Sequence, residues 1–155
     1  MQFVKESVFP VSVEELFAFH ERPDAFALLQ PPWDPVEIIQ PPTSLEVGTQ
    51  VKLRSKVGPF WIDIVAEHVA YVKNERFEDV MVKGPFAKWH HKHLFLDHTD
   101  GSMLRDEIEL EPPLGPLGRL AAPVAVLPRL RKLFDYRHEV TRRHVTAPVS
   151  RTSSR

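Results

Sequence analysis

The hydrophobic pattern of the first 30 residues predicts one strand and two short helices. Residues 2–9 alternate between apolar and polar side chains, which is typical of a β-strand. Ser12 then provides the N-cap of a helix that continues to His20. Pro23 is suited to the first turn of a second short helix, over 24–29.

The middle of the chain has a different pattern. Runs rich in Val, Ile, Phe and Trp are separated by short turn signals such as Gly58-Pro59 and Asp100-Gly101. Connections this short join antiparallel neighbours, so the runs predict a meander. Six strands are expected here, at 36–40, 49–57, 60–72, 76–83, 86–98 and 102–111.

In the last third of the chain the apolar period becomes helical. Apolar residues recur at three- and four-residue steps from Leu117 to Phe134. One long helix is therefore expected over 116–144. Pro123 and Pro128 lie inside it and each removes a backbone hydrogen bond, so we expect a kink or a break.

This order of elements predicts an α+β helix-grip fold. In it, a curved seven-stranded antiparallel sheet wraps around the long C-terminal helix, and two short helices follow strand 1. Such a sheet is difficult to fill along its whole length, so we expect a cavity between sheet and helix. The predicted domain covers residues 1–144, and residues 145–155, which have no apolar period, are expected to be a disordered tail.

Composition excludes several classes of function. The 155 residues include no cysteine, which excludes disulfide frameworks, zinc ribbons and thiol catalysis. The net charge of −1 gives no overall field that would attract nucleic acid or an anionic membrane. No apolar run approaches the roughly 20 residues of a membrane span, and no secretion signal is recognised. We therefore expect a cytoplasmic protein that neither binds nucleic acid nor inserts into a membrane.

The C-terminal end is basic, since eight of the 20 Lys and Arg residues follow residue 128. These side chains surround apolar helical positions, and Asp135 and Glu139 interrupt them. Cations are also favourable near a helix C-terminus. The pattern favours a solvated helix face over a binding surface. The basic run within the helix comprises Arg129, Arg131, Lys132, Arg137, Arg142 and Arg143.

The most conspicuous chemistry is the run Trp89-His90-His91-Lys92-His93. On a strand, Trp89, His91 and His93 share one face with Phe95, and this more aromatic face is expected to line the cavity. Two imidazoles do not complete a metal site, and no third ligand is near in sequence, so no metal is expected. The imidazoles either act as a general base or donor toward a ligand, or bind sheet neighbours only.

Two carboxylates, Asp79 and Asp106, alternate with apolar residues on predicted strands. A buried carboxylate is costly unless it is paired, and adjacent antiparallel strands bring either one against His91 or His93. Such a pair is either catalytic or a satisfied structural bond. The residues predicted to line the cavity are Trp61, Phe77, Met81, Trp89, His91, His93, Phe95, Leu104, Asp106, Ile108, Leu117, Leu120, Val124 and Leu127, with at least half of the aromatic residues expected to serve the core.

The chain lacks GxGxxG, Walker, HExxH and GxSxG motifs. Nucleotide cofactors, zincin chemistry and serine hydrolysis are therefore unsupported, and no cofactor is expected.

Three segments resemble the SRPBCC superfamily of START-like and pollen-allergen-like proteins, which also includes polyketide cyclases. They are GPFAKWHHKHLF (84–95), DGSMLRDEIELEPPLGPLGRL (100–120) and LRKLFDYRHEVTRRH (130–144). The resemblance is to a bacterial ligand-binding subgroup, sometimes described as cell-division-inhibitor-like and sometimes fused to a nucleotide-sugar epimerase-type domain. It implies a helix-grip fold and an apolar ligand, without specifying a reaction.

Three functional hypotheses follow. The first is non-catalytic binding of a hydrophobic or aromatic small molecule. The second is an enzyme of the cyclase, aromatase or dehydratase type, which would use His91 or His93 with Asp106 or Asp79 as its catalytic residues. The third is a protein-interaction module in cell division that works through the basic C-terminal end.

Overall fold

The computed structural model describes residues 1–147, which form one seven-stranded antiparallel sheet and four helices. The strand order is β1-β7-β6-β5-β4-β3-β2, so the six later strands form the predicted meander and β1 pairs with β7. The predicted α+β helix-grip fold is confirmed. The elements are β1 (Gln2–Phe9), α1 (Val13–His20), α2 (Ala25–Leu28), β2 (Val36–Gln40), β3 (Gln50–Val57), β4 (Phe60–Val72), β5 (Arg76–Lys83), β6 (Lys88–His98), β7 (Gly101–Glu111), α3 (Gly115–Ala125) and α4 (Leu127–Thr146).

Helix α1 begins where the sequence predicts because Ser12 and Glu15 form a capping box. The Ser12 hydroxyl accepts a hydrogen bond from the Glu15 backbone N–H at 3.2 Å, and the Glu15 carboxylate accepts one from the Ser12 backbone N–H at 2.9 Å. The helix buries Leu16 and Phe17 completely, which fixes it against the sheet.

Two hydrophobic cores hold the helices to the inner face of the sheet. Helix α1 packs against β6 and β7, and α4 packs against β1. The α1 core is built from Phe9, Val13, Leu16, Phe17, Leu45, Phe77, Phe95 and Leu104. The α4 core is built from Phe3, Ile108, Leu110, Leu130 and Phe134.

The predicted long helix is divided into α3 and α4 at Val126. Pro123 lies inside α3, and Pro128 lies in the first turn of α4, where its missing N–H costs no helical hydrogen bond. The break expected from the two prolines is therefore confirmed. Helix α4 continues to Thr146, two residues beyond the predicted end, and the rest of the predicted tail from residue 148 lies outside the described residues.

Helix α3 turns its apolar side chains toward solvent. Leu117, Leu120 and Val124 are 74%, 80% and 82% exposed, and Ala122 is its one buried residue. The prediction that these three residues line a cavity under the helix is wrong for this conformation. Neither hydrophobic core includes a side chain of α3, which ends at the break before α4.

Within residues 1–147, no helix combines the length and apolar character that a membrane crossing requires.

Candidate functional site

Sheet register brings the predicted histidines and aspartates together on the inner face. The β5–β6 register places Asp79 opposite His91, and the β6–β7 register places His93 opposite Asp106. Directly opposite residues of an antiparallel pair point to the same face, so all four side chains converge. We call Asp79, His91, His93, Asp106 and His138 the histidine–aspartate cluster.

Asp106 is the centre of this cluster and is 3% exposed. Its Oδ1 accepts a hydrogen bond from His91 Nε2 at 2.9 Å and lies 2.8 Å from His93 Nδ1. Its Oδ2 lies 2.7 Å from Nε2 of His138, which α4 supplies. A carboxylate can only accept hydrogen bonds, so these contacts orient an N–H of His91 and of His138 toward Asp106.

Asp79 lies on the more accessible side of the cluster. Its Oδ2 is 3.3 Å from His93 Nε2 and 3.5 Å from His91 Nδ1. The Asp79 and His93 side chains are 16% and 15% exposed, whereas those of His91 and Asp106 are each 4% exposed. The cluster is therefore closed around Asp106 and opens toward Asp79.

Electrostatic interactions among Asp79, Asp106 and His93 shift the pKa values of these groups. Burial opposes ionisation of Asp106, but the charge of His93 and hydrogen bonds from His138 and His91 outweigh it and hold the pKa of Asp106 well below its usual range. Burial likewise opposes protonation of His93, yet Asp106 and Asp79 raise its pKa to about 9. Burial and the neighbouring His93 lower the pKa of His91, so the two imidazoles differ in protonation.

Three members of the site were not among the residues predicted from sequence. His138 connects Asp106 to the Ser7 hydroxyl, which lies 2.8 Å from His138 Nδ1. The inward-facing position of His138 could have been predicted, because residue 138 continues the four-residue spacing of Leu130 and Phe134. Ser7 is one of the alternate residues of β1 that point inward, and no motif in the sequence indicated a role for it in the site.

Arg137 is the third such residue, and it departs from the predicted solvated face. It is half-buried, its Nε donates to the Leu29 carbonyl at 3.3 Å, and its guanidinium lies 5.2 Å from the Phe134 ring centroid. Burial lowers the pKa of Arg137, while the charges of Asp106 and Asp79 oppose that shift. Arg129, Arg131, Lys132 and Arg143 of the same basic run are exposed, as predicted.

Two further buried histidines border the cluster. His20 Nδ1 lies 2.9 Å from the Leu16 carbonyl, and burial lowers the pKa of His20 to about 4. His68 is 5% exposed and faces Asp79 across the β4–β5 register. Burial lowers the pKa of His68 as well, so both imidazoles are neutral near pH 7.

The predicted lining residues divide into two groups. Phe95, Leu104 and Ile108 are at most 3% exposed inside the two cores, which leaves them no surface for a ligand and corrects the prediction that they line the cavity. Phe77 is also buried, but its ring stacks on His93 at 3.9 Å between centroids. Met81 and Trp89 are half-buried on the inner face and remain accessible.

Trp61 lies on the outer face of the sheet, so its predicted place in the cavity is wrong. It pairs with Lys56, and its neighbour Asp63 forms an ion pair with Arg54 at 2.9 Å. The strand period of two carries Trp61 and Asp63 to the polar side, whereas Ile62 and Ile64 point inward.

Two shallow clefts of the described residues lie away from the cluster. One, of about 330 Å³, lies between β1 and α4 and includes Phe3, Leu127 and Asp135. The other, of about 320 Å³, includes Glu21, Leu45 and Tyr71. Leu127 thus lines a cleft, but not the predicted cavity, because α4 packs directly on β1 and β7 where that cavity was expected.

The inner face is less covered over part of β3 and β4. The side chains from Leu53 to Ser55 and from Ile62 to Ala66 that point inward are only half-buried, whereas Val51 and His68 at the other end of these strands are buried. We call this surface, together with Met81 of β5, the open inner face. Its residues are Leu53, Ser55, Ile62, Ile64, Ala66 and Met81.

Three residues of the cluster could hold a cation. One ligand atom from each of Asp79, His91 and His93 lies within 4.8 Å of the other two. The reason for expecting no metal, the lack of a third ligand near His91 and His93 in sequence, is therefore removed by the β5–β6 pairing.

Solved structures share this architecture. The protein TTHA0849 from Thermus thermophilus superposes with a TM-score of 0.74 at 13% identity, covering 97% of this chain and 100% of that one. Ara h 8.0201 superposes with a TM-score of 0.67 at 16% identity, covering 94% and 97%. A nucleoside-diphosphate sugar epimerase from Corynebacterium glutamicum gives 0.64 at 23% identity, covering 90% of this chain and 28% of that one. These likenesses show the fold.

The neighbours show a helix-grip fold, and a family match confirms the resemblance of the sequence to the SRPBCC superfamily. Residues 9–133 match the family described as polyketide cyclase/dehydrase and lipid transport, and the chain belongs to that family. No curated protein matches the sequence.

Proposed function

We propose that the protein binds a hydrophobic small molecule carrying at least one polar group. Its apolar part lies on the open inner face, and its polar group lies against Asp79 and His93. The family, whose description includes lipid transport, supports an apolar ligand. The main support is the difference in exposure within the histidine–aspartate cluster. Its two most accessible members, Asp79 and His93, border the open inner face.

Physical chemistry favours a ligand at this place. A cleft lined by apolar residues with a few converging polar groups is the usual form of a small-molecule site. Leu53, Ile62 and Ile64 supply apolar area that no helix of the described chain buries fully. A guest molecule that covers this area is stabilised by about 25 cal/mol for each Å² of apolar surface removed from water.

Helix α3 provides a cover for such a ligand. Leu117, Leu120 and Val124 are exposed along one helix, and they precede the break at Val126 that separates α3 from the packed helix α4. Rotation about this break would bring apolar side chains over a bound molecule without disturbing α4, since segment motions at such junctions are a common way to admit ligands.

The test pairs two substitutions on neighbouring residues of β5. Met81 lies on the inner face and Val82, which is 60% exposed, lies on the outer face. Met81→Glu places a charge on the open inner face, and Val82→Glu is the matched control. We expect Met81→Glu to reduce binding of 1-anilinonaphthalene-8-sulfonate, measured by fluorescence titration, by at least about tenfold.

The control should bind the probe as the unchanged protein does. Native mass spectrometry of untreated protein should also show a bound apolar mass that Met81→Glu loses. Equal probe binding by both variants, with no such mass, would contradict the proposal.

A second candidate, acid–base catalysis of the cyclase or dehydratase type, is favoured by one observation. Asp106 orients His91 while His93 lies between two carboxylates, an arrangement that general acid–base chemistry uses. If the protein is such an enzyme, His91→Ala and His93→Ala should abolish turnover of a polyketide-type substrate yet preserve probe binding. Loss of probe binding together with turnover would contradict a catalytic role.

A further inference from the structure

We infer that Asp79, His91 and His93 form a site for one divalent transition-metal ion of the Fe²⁺-to-Zn²⁺ class. The inference goes beyond the proposed binding function and does not require it. Two imidazoles and one carboxylate are the ligand types that these ions prefer, and three protein ligands leave coordination positions open.

The separations of the three ligands fit such an ion. Bonds of about 2.1 Å with tetrahedral angles place neighbouring ligand atoms about 3.4 Å apart. Asp79 Oδ2 lies 3.3 Å from His93 Nε2 and 3.5 Å from His91 Nδ1. The ion enters this 4.8 Å triangle by replacing the proton on His93 Nε2, which is released to solvent, because only an unprotonated ring nitrogen can bind a metal.

Asp106 supplies the outer carboxylate that metal-binding histidines commonly have. It accepts the His91 Nε2 hydrogen bond, which leaves Nδ1 of that ring as the unprotonated atom facing Asp79. An unprotonated nitrogen and a carboxylate oxygen repel each other unless a cation lies between them. Asp106 is itself held by His138, so the ring orientation is fixed from behind.

A second, independent observation is an unsatisfied group beside the triad. His68 is 5% exposed, and its Nδ1 has no hydrogen-bond partner among the residues the structure describes. His68 stands opposite Asp79 in the β4–β5 register, on the same face of the sheet. A buried polar atom without a partner is costly, and a water molecule bound to the ion would supply one.

The ion would also be reachable. Asp79 and His93 are the accessible members of the cluster, and they border the open inner face rather than the closed α4 core. The open coordination positions therefore face the side on which a ligand would enter.

The experiment uses the full chain without a histidine tag, first stripped of metal with a chelator. Zn²⁺ is added in a calorimetric titration and Co²⁺ in a titration followed by visible absorption. We expect one ion per chain and a Co²⁺ spectrum of nitrogen and oxygen ligands. Asp79→Asn and His93→Asn should remove this binding, and Asp106→Asn should weaken it by about 10–100-fold.

The matched control is His90→Asn, on the outer face of the same strand beside Glu78, which should leave binding unchanged. Circular dichroism checks that each variant folds. If His93→Asn does not fold, Co²⁺-induced shifts of the Met81 methyl resonance in the unchanged protein locate the ion instead. No uptake of either metal, uptake that survives Asp79→Asn, or an unshifted Met81 methyl on Co²⁺ addition would overturn the inference.

Discussion

The two halves of the sheet's inner face differ in how they are covered. Over β1, β6 and β7, helices α1 and α4 bury large side chains such as Phe17 and Phe134 to 1% exposure or less. Over β3 and β4, equivalent apolar residues such as Ile62 and Ile64 remain half-buried. The histidine–aspartate cluster lies on the boundary, with Asp106 on the packed side and Asp79 on the open side. A helix-grip fold can thus place a rigid polar network beside an accessible apolar surface.

The largest effect is expected from opening the packed half. Phe134 contacts the rings of Phe3 and His91, with centroids 5.4 and 5.2 Å away. Phe134→Ala should lower the free energy of unfolding by about 3–5 kcal/mol, because the removed ring leaves a cavity that its neighbours cannot fill. Urea denaturation measures this change. A loss below about 1 kcal/mol would mean that α4 is not packed as described.

Removal of each carboxylate in turn should lower stability slightly less, and the two losses should differ between the closed and the open side of the cluster. Asp106→Ala removes the partner of three imidazoles, of which His91 and His138 are buried, and should cost about 3 kcal/mol. Asp79→Ala removes a more exposed carboxylate and should cost about 1 kcal/mol. Thermal and urea unfolding at pH 7 compare the two variants. Equal losses would remove the distinction between the closed and the open side.

Acid should lower the free energy of unfolding by protonating His20, which is buried in the packed half. The pKa of this imidazole is about 4 in the folded protein against an ordinary value of 6.5, so the unfolded chain binds more protons between these values. Its contribution is fully present above pH 6.5 and is lost as the pH falls toward 4, by up to about 3 kcal/mol.

The pH dependence can be assigned to His20 with a variant that does not titrate there. His20→Asn should show a shallower fall in the free energy of unfolding between pH 6.5 and 4. Because His93, Asp106 and His138 act electrostatically on His20, the comparison is made as the difference between the two proteins at each pH. Parallel curves would show that His20 does not carry the effect.

The smallest effect on stability is expected in α3. The combined change Leu117→Ala and Leu120→Ala should leave the free energy of unfolding within about 0.5 kcal/mol, because both side chains are already in solvent. The same change should weaken binding of 1-anilinonaphthalene-8-sulfonate if α3 covers the ligand. A large loss of stability would instead show that these leucines are buried in solution.

The sequence predicted most of the fold because its signals are local. Alternation and short turns fixed the sheet neighbours, and β4 and β5 begin and end at the predicted residues. The pairing of His91 or His93 with Asp79 or Asp106 followed from the same antiparallel order. Trp61 was misplaced because its face is decided by the pairing of β4 with β3, which sets it opposite Lys56 on the polar side of the sheet.

The sequence by itself determined the elements, their order and the face on which the histidines lie, since these depend on periods of two and 3.6 residues and on turn chemistry. Only the tertiary structure decided that α4 closes one half of the sheet, that α3 lies outside the two cores, that His138 joins the cluster and that Arg137 binds the Leu29 carbonyl. The reason is that the position of a helix on a sheet results from the summed packing of side chains distant in sequence, such as Phe3 with Phe134, which no local pattern records.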